Sequence, residues 1–338
     1  MIEVVIPAHN AAAYLRETLE SIAAQTRPPA RVTVVDDRST DGTPALVEAA
    51  ARELAPRVEI RLLPNAGPPG PAAARNTAIR AATAQWIALC DADDLLLPEH
   101  HAALAAIVGT PGTVLGFGDC SLFESDGGEV LVPSHHAKSG LPALPSRPAA
   151  AGGRTLEGTD FAAMLRGPRI ATSACLIRRE AVLAAGLFDE AMRFAEDYDL
   201  FLRLAWLGRF AFTTMQVARK RVHAANLSQE RNRARFSLGN LRSAVKLRGI
   251  ARAADPAPFR PGPEDRALCE AMAPRFAETA LYDASRGGFA AYAVAARLAA
   301  GAGFAGKVLH PRHLARLLAG RLGLLDRGRA AHTPPAGV

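Results

Sequence analysis

The sequence predicts an α/β fold: a Rossmann-like, mostly parallel sheet flanked by helices, followed by a mainly helical C-terminal extension. Three observations predict it. Short β-rich apolar runs alternate with helical stretches of about 10–15 residues, the pattern of βαβ units. Three of those runs end in polar clusters, at His9-Asn10, Asp36-Asp37 and Asp91-Ala-Asp93-Asp94. Open parallel sheets bind ligands at such carboxyl ends. Residues 228–325 are rich in Ala, Leu and Arg, with Pro/Gly breaks near 256–263, 287–288 and 301–306, and read as helices.

Each element has its own warrant. Residues 3–7 form a short β-rich run, and residues 12–24 place Leu15, Leu19 and Ile22 on one helical face. Residues 31–36 read as a second strand, and the turn residues from Ser39 lead into a helix reaching about residue 53. A third strand is expected over 58–62, a helix from the Gly/Pro loop at 66–71 to about 82, and a fourth strand over 85–89. Right-handed crossovers then make an open sheet. Residues 133–153, rich in Pro, Ala, Ser and Gly, read as a linker or a loop near the functional site. Helices are expected near 157–166, 179–185 and 196–207, with a strand at 173–177. The expected domains are 1–228 and a basic helical region, 229–338.

Composition narrows the function. The four cysteines are widely spaced and form no CxxC pair, which excludes a zinc ribbon or disulfide scaffold and fits a reducing cytosol. The first residues do not read as a signal peptide, and no long uncharged apolar run reads as a membrane span. The expected location is cytoplasmic, with peripheral contact at the inner face of the membrane. Residues 1–200 carry 17 Lys+Arg against 25 Asp+Glu; residues 201–338 carry 23 against 8. The acidic part is where catalytic carboxylates or metal ligands belong, and the basic part suits an anionic surface or substrate. Only four of the 40 basic residues are Lys, so GC-rich coding is a competing explanation of the Arg excess.

The strand-end carboxylates carry the chemistry. Asp91 and Asp93 are two residues apart, so an extended backbone would point both to one side. Carboxylates crowded there repel unless a cation lies between them, and hard oxygen ligands suit Mg²⁺ or Mn²⁺ bound to a diphosphate. The plainer alternative is an acidic turn before the helix that follows Pro98. No GxGxxG follows the first strand, and neither a GxxxxGK[ST] loop nor a GxSxG elbow occurs. A dinucleotide oxidoreductase, a P-loop ATPase and a serine hydrolase are thereby disfavoured.

Seven segments, taken in order, resemble the family 2 inverting glycosyltransferases of GT-A fold. Val4-Val-Ile-Pro-Ala-His-Asn10 is similar to the family's opening motif, with His9 where Tyr is usual. Leu19, Ile22 and Gln25-Thr26 match its first helix. Val34-Val-Asp-Asp-Arg-Ser-Thr-Asp41 matches the next segment, with Arg38 in place of Gly. Asn65-Ala-Gly67 with Ala74-Arg-Asn76 follows, then Ile87-Ala-Leu-Cys-Asp-Ala-Asp-Asp94 at the metal motif. Gly186-Leu-Phe-Asp-Glu190 leads to Glu196-Asp197-Tyr-Asp-Leu200 and Arg203. Arg221-Val-His223 with Ser228 closes the series. The resemblance covers about residues 1–228.

The resemblance implies roles. Pro7, His9 and Asn10 would line the pocket for the nucleobase, and Asp36 or Asp37 would accept from base or ribose. Arg75 would reach the donor phosphates. Asp91 and Asp93 would bind ribose and sugar, and Asp93, Asp94 and His223 a divalent Mn²⁺ or Mg²⁺ acting on the leaving diphosphate. Asp197 would be the general base, with Glu196 and Asp199 as the other carboxylates of that segment. The same residues open a helix, whose N-terminal dipole favours a carboxylate. The expected partners are a nucleotide-sugar donor, with UDP-sugar favoured, and a saccharide or lipid-linked acceptor of bacterial surface polysaccharide synthesis. No nucleic acid is expected.

Residues 309–325 alternate Leu and Arg at near-helical spacing. A membrane-surface helix, a packed helix and a homodimer contact would each look like this. A sugar nucleotidyltransferase and a non-catalytic GT-A-like binding protein are the rival functions. The first is expected to carry a GxGxR loop after the first strand, which this sequence lacks. The second is expected to have lost Asp197 or Asp93-Asp94.

Overall fold

The structure is a computed structural model that describes residues 1–125, 128–224, 226–227, 229–286, 289–308 and 310–321. It divides into two compact units, residues 1–227 with 250–268, and residues 228–249 with 269–338.

The first unit starts with alternating elements: β1 (Ile2–Ala8), α1 (Leu15–Ala23), β2 (Arg31–Asp36), α2 (Thr43–Leu54), β3 (Ile60–Pro64), α3 (Pro71–Ala81) and β4 (Trp86–Leu89). β1 pairs in parallel with both β2 and β4, and β2 with β3. β1, β2 and β4 are buried on both faces, hence their continuous apolar runs, whereas β3 at the sheet edge is partly exposed. Ile2, Val4 and Ile6 of β1 join one core cluster with Leu15, Leu19 and Ile22 of α1 and Val47 of α2. The helical spacing read from the sequence therefore faces the sheet as expected. α1 starts later than the sequence suggests, because residues 12–14 form a turn. The third strand also lies two residues further along than expected.

The chain continues through β5 (Leu95–Leu96), α4 (His100–Ile107), β6 (Thr113–Glu124), β7 (Val130–Val132), α5 (His135–Ser139), β8 (Ser146–Pro148), β9 (Arg154–Leu156), α6 (Asp160–Leu165), β10 (Cys175–Arg178), α7 (Arg179–Ala184), α8 (Glu196–Leu204) and β11 (Arg209–Val222). Among the described residues the sheet runs β3-β2-β1-β4-β10-β6-β11-β9-β8, with β5 on β11 and β7 on β6. The parallel order holds from β3 to β4. Beyond it, β10 runs antiparallel to both β4 and β6, and β11 lies parallel to β6. β6 and β11 are the longest strands, at 12 and 14 residues, and the sequence reading assigned neither. β6 is almost wholly buried and so shows no alternation. β11 is interrupted by register shifts around Gln216, which break its period. The stretch 133–153 is not featureless either: it folds into α5, two short 3₁₀ turns and β8, which pairs with β9.

The second unit takes the start of α9 (Arg233–Arg252) and most of α10 (Pro263–Arg286), with α11 (Phe289–Gly301), α12 (Ala305–Val308) and α13 (Pro311–Arg321). Its core is built from small residues, with Ala273, Ala277, Ala280, Ala284, Ala295 and Ala299 around Leu241, Leu281 and Tyr292. Arg233 pairs with Asp283 at 3.2 Å and Arg248 with Glu270 at 2.8 Å. In α13, His313 is buried and Leu317 packs on this core. The rest of the expected tail helix, residues 322–325, lies outside the described residues, as does Ser228. Among the described residues no helix is long and apolar enough to cross a membrane.

Candidate functional site

The carboxyl ends of β1 and β2 form one polar cluster. Pro7 lies beyond the last β1–β4 partner pair, Val5 with Leu89, so its missing N–H interrupts no pairing with β4. His9 and Asn10 follow it, exposed. His9 Nδ1 lies 2.7 Å from the carbonyl of Asp37, and Asn10 Oδ1 accepts from the amide of Thr40 at 2.8 Å. Asp36 accepts from the amide of Ser39 at 3.3–3.4 Å. Asp37 is buried and well supplied with donors. Its Oδ1 accepts from Asn65 Nδ2 at 2.6 Å and Arg38 Nη1 at 2.8 Å, and its Oδ2 from the amide of Gly70 at 2.6 Å. Arg38 has φ of 61°, the left-handed region that costs a non-glycine residue about 1–2 kcal/mol. The Gly usual at this position in the resemblance is thereby explained. Arg38 offsets the strain with its contacts to Asp37 and to the carbonyl of Gly67.

The end of β4 is the second cluster. Asp91, Asp93 and Asp94 converge, with ligand oxygens all within 4.8 Å of one another. The means differs from the extended backbone expected. Residues 92–93 form a turn, closed by the amide of Asp94 on the carbonyl of Asp91 at 3.2 Å. Asp94 is buried, and accepts from Ser173 Oγ at 2.6 Å and the amide of Arg221 at 2.9 Å. Burial and the neighbouring Asp93 push its carboxyl up to about 8. Asp93 Oδ2 sits 2.8 Å from His223 Nε2 and 2.9 Å from Asn226 Nδ2. Burial opposes the charge on Asp91, but Arg75 and Lys220 hold its carboxyl below the usual range.

Arg75 is buried, 4% exposed, and so is not a solvent-facing residue. Its guanidinium bridges Asp91 and Glu196, each at 2.8 Å. Burial and the adjacent Asp197 raise Glu196 to about 7, against the pull of Arg75. Asn76, next in sequence, bonds the backbone of Phe188 and the carboxylate of Glu190. These contacts tie α3 to the segment that carries Asp197. Asp197 lies in the first turn of α8, after Ala195 at φ of 60°. Its Oδ2 accepts from Thr172 Oγ1 at 2.7 Å and its Oδ1 from the amide of Tyr198 at 2.8 Å. Asp199, a further carboxylate of that turn, is fully buried and bound by Arg203 at 2.7 Å.

Residues absent from the sequence reading link these parts. Thr172 and Ser173 are adjacent, in a 3₁₀ turn before β10. One holds Asp197 and the other holds Asp94, and Ser173 Oγ also accepts from the amide of Asp91 at 3.0 Å. Nothing in the local sequence marks them, because the partners are 25 and 79 residues away. Lys220, on β11, feels the carboxylates of Asp94, Asp91, Asp93 and Asp197, which outweigh the cost of its burial and raise its pKa. Its place beside Arg221-Val-His223 was the available signal. The structure thus gathers Asp91, Asp93, Asp94, Asp197 and His223 with Arg75, and forms His9, Asn10, Asp36 and Asp37 into a second group.

The donor set fits a hard divalent cation. Oxygens of three carboxylates lie within 4.8 Å of one another, close enough to share one ion, and the carboxyl of Asp94 is raised by burial and by the neighbouring Asp93. Asp91, Asp93, Asp94, Glu196 and Asp197 outnumber the cations Arg75 and Lys220.

Residues 3–146 match the family described as Glycosyl transferase family 2. The succinoglycan biosynthesis protein ExoO of Rhizobium meliloti is 32% identical over 209 residues, 61% of this chain and 56% of ExoO. The poly(ribitol-phosphate) beta-N-acetylglucosaminyltransferase TarS of Staphylococcus aureus is 36% identical over 107 residues, 31% of this chain and 18% of TarS. The chain therefore spans little more than half, or less, of these relatives. In fold it is similar to the crystal structure of S. aureus TarS 1–349, with a TM-score of 0.60 at 18% identity over 95% of this chain and 91% of that one. It is also similar to the mannosyltransferase PcManGT of Pyrobaculum calidifontis in complex with GDP-Man and Mn²⁺, with a TM-score of 0.56 at 23% identity over 95% and 86%.

Proposed function

Through residues 3–146 the chain is a member of the family 2 glycosyl transferases, and from that premise we propose that it is an inverting, nucleotide-sugar-dependent glycosyltransferase. One observation carries the reading. The adjacent hydroxyls of Thr172 and Ser173 hold two different carboxylates, Asp197 at 2.7 Å and Asp94 at 2.6 Å. On this reading one short turn positions both the metal-binding carboxylate and the base carboxylate, which supports a displacement at the anomeric carbon.

Asp93, Asp94 and His223 would hold the divalent ion, Mn²⁺ or Mg²⁺. When bound, it supplies Lewis-acid stabilisation of the departing diphosphate. Pro7, His9, Asn10, Asp36 and Asp37 receive the base and ribose, and Asp91 and Asp93 lie towards the sugar. Arg75 acts from behind, by fixing Asp91 and Glu196. Asp197 takes the proton of the acceptor hydroxyl as its oxygen attacks the anomeric carbon. Thr172 keeps one Asp197 oxygen in place during that transfer.

The favoured donor is a UDP-sugar, since TarS 1–349 has also been crystallised with UDP-GlcNAc. The acceptor is a saccharide or lipid-linked hydroxyl in surface polysaccharide synthesis, in keeping with the name of ExoO. The basic C-terminal region is the part that would meet an anionic membrane surface. The test is a thermal-shift screen of UDP- and GDP-sugars with and without Mn²⁺, followed by donor hydrolysis. A metal-dependent rise in melting temperature with one nucleotide class is expected. No shift and no hydrolysis with any donor would refute the reading.

A further inference from the structure

Arg221 joins the acidic turn to α1. Its backbone amide donates to Asp94 Oδ1 at 2.9 Å, and its side-chain Nε donates to the carbonyl of Asp93 at 3.0 Å. One residue thus grips two successive residues of the turn, one through the strand backbone and one through its guanidinium. That guanidinium is buried over the rings of Tyr14, at 5.0 Å, and Phe123, at 4.8 Å. Its Nη2 donates to Glu17 Oε2 at 2.6 Å. Tyr14 and Glu17 stand at the start of α1. Period-two alternation at the end of β11 puts Arg221 and His223 on one side of the chain. The Tyr14 ring meets both there, with its centroid 4.6 Å from that of His223. Thr18, one turn along α1 from Tyr14, donates through Oγ1 to the carbonyl of Ala92 at 3.0 Å. The two carbonyls of the 92–93 turn are therefore held by α1 and by an arginine pinned to α1. A planar guanidinium can lie on rings while its edge donors meet a carbonyl and a carboxylate, which an ammonium cannot reproduce. Glu17 is 59% exposed, so the ion pair contributes little to stability. Its consequence is orientation.

We propose that Arg221, held between Tyr14, Phe123 and Glu17, is a positioning residue that sets the Asp93 carboxylate and the His223 ring at the distance a divalent ion needs. This rests on the reading of Asp93, Asp94 and His223 as the metal ligands. Asp93 Oδ2 and His223 Nε2 already stand 2.8 Å apart. Arg221 fixes the backbone on the Asp93 side, and the ring it shares with His223 fixes the other. Groups that orient metal ligands from behind are worth about 10–100-fold in metal affinity when removed. The start of α1 is thereby part of the cation site, although it offers the ion no ligand.

The experiment is calorimetric titration of the full chain with Mn²⁺ alone, together with the EPR spectrum of the bound ion. Arg221→Lys, Glu17→Gln and Ile22→Val are compared with the parent; Ile22 is a core residue of α1 that makes none of these contacts. Arg221→Lys should lose about 10–100-fold in Mn²⁺ affinity and change the EPR spectrum. Glu17→Gln, which leaves the buried arginine in place, should lose about threefold. Ile22→Val should lower the melting temperature and leave both affinity and spectrum as in the parent. Parental affinity and spectrum in Arg221→Lys would overturn the proposal, and so would an equal loss in Ile22→Val, which would make the effect one of general stability. If Arg221→Lys does not fold, Glu17→Gln decides: parental affinity there would overturn the proposal. Absence of Mn²⁺ binding to the parent would remove the metal reading and the proposal together. The expected Mn²⁺ behaviour with no response to any nucleotide-sugar would remove the donor reading alone and support the role of Arg221.

Discussion

At the end of β2, the Asp37 carboxylate accepts from an Asn amide, a backbone amide and an arginine that is half exposed. At the end of β4, the Asp94 carboxylate accepts only from Ser173 and the amide of Arg221 among the described contacts, with two more carboxylates in reach. Each belongs to an acidic pair after an apolar strand, and Asp37 and Asp94 are themselves buried. Ample hydrogen bonding makes the first a rigid acceptor of fixed geometry. The second has few donors, and burial with the neighbouring Asp93 raises its carboxyl to about 8. The contrast teaches what suits a carboxylate pair to a cation: donors too few for its charge.

The sharpest way to break this contrast is at Asp94. Asp94→Ala should abolish Mn²⁺-dependent binding of the donor, read by titration calorimetry, while circular dichroism shows the fold retained. Chelation should reproduce the loss in the parent chain. Full turnover in EDTA would sink the metal assignment.

Asp197→Asn should keep donor affinity and reduce sugar transfer by about 10²–10⁴-fold, the usual worth of a general base. Normal turnover in that variant, with loss in Glu196→Gln, would move the base to its neighbour.

Acidity should act on one end only. Folded Asp94 holds a proton up to about pH 8 that the unfolded chain releases near 3.8. Without metal, its contribution to stability therefore falls as pH rises through that window, since the native state binds more protons. Metal binding expels the proton, so Mn²⁺ affinity should rise about tenfold per unit from pH 6 towards 8 and then level. Calorimetry in buffers of different ionisation enthalpy should show about one proton released at pH 7. A flat profile would count against the crowding at Asp94.

Asp37→Asn turns one accepting oxygen into a donor facing donors. It should cost about 1–3 kcal/mol of stability by thermal or urea melting and leave Mn²⁺ affinity unchanged. Loss of Mn²⁺ binding in that variant would erase the distinction between the two ends. The smallest effect is expected at Arg38→Gly. Relief of a left-handed backbone is offset by glycine's entropy and by the lost half-exposed ion pair, so stability should change by less than about 1 kcal/mol.

The polar residues nearest the strand ends were legible because a strand end is a local feature. Asp91, Asp93 and Asp94 follow the three buried residues of β4 and the buried Cys90, and His9 and Asn10 follow β1. The ion pairs of Arg75 were not legible, since Asp91 and Glu196 come to it from 16 and 121 positions away. β6 escaped notice because full burial erases the period, and β11 because its bulges reset it.

The sequence by itself determined the alternation of β1 to β4 with α1 to α3, the apolar faces that cover the sheet, and the acidic groups at the strand ends. These follow from periodicity and from residue types a few positions apart. Only the tertiary structure decided that β10 and β11 cross back to the active edge. That return sets Thr172 and Ser173 against Asp197 and Asp94, and His223 against Asp93. The physical reason is that charge is balanced in space: a carboxylate's partner is whichever donor the sheet order places beside it, at any distance along the chain.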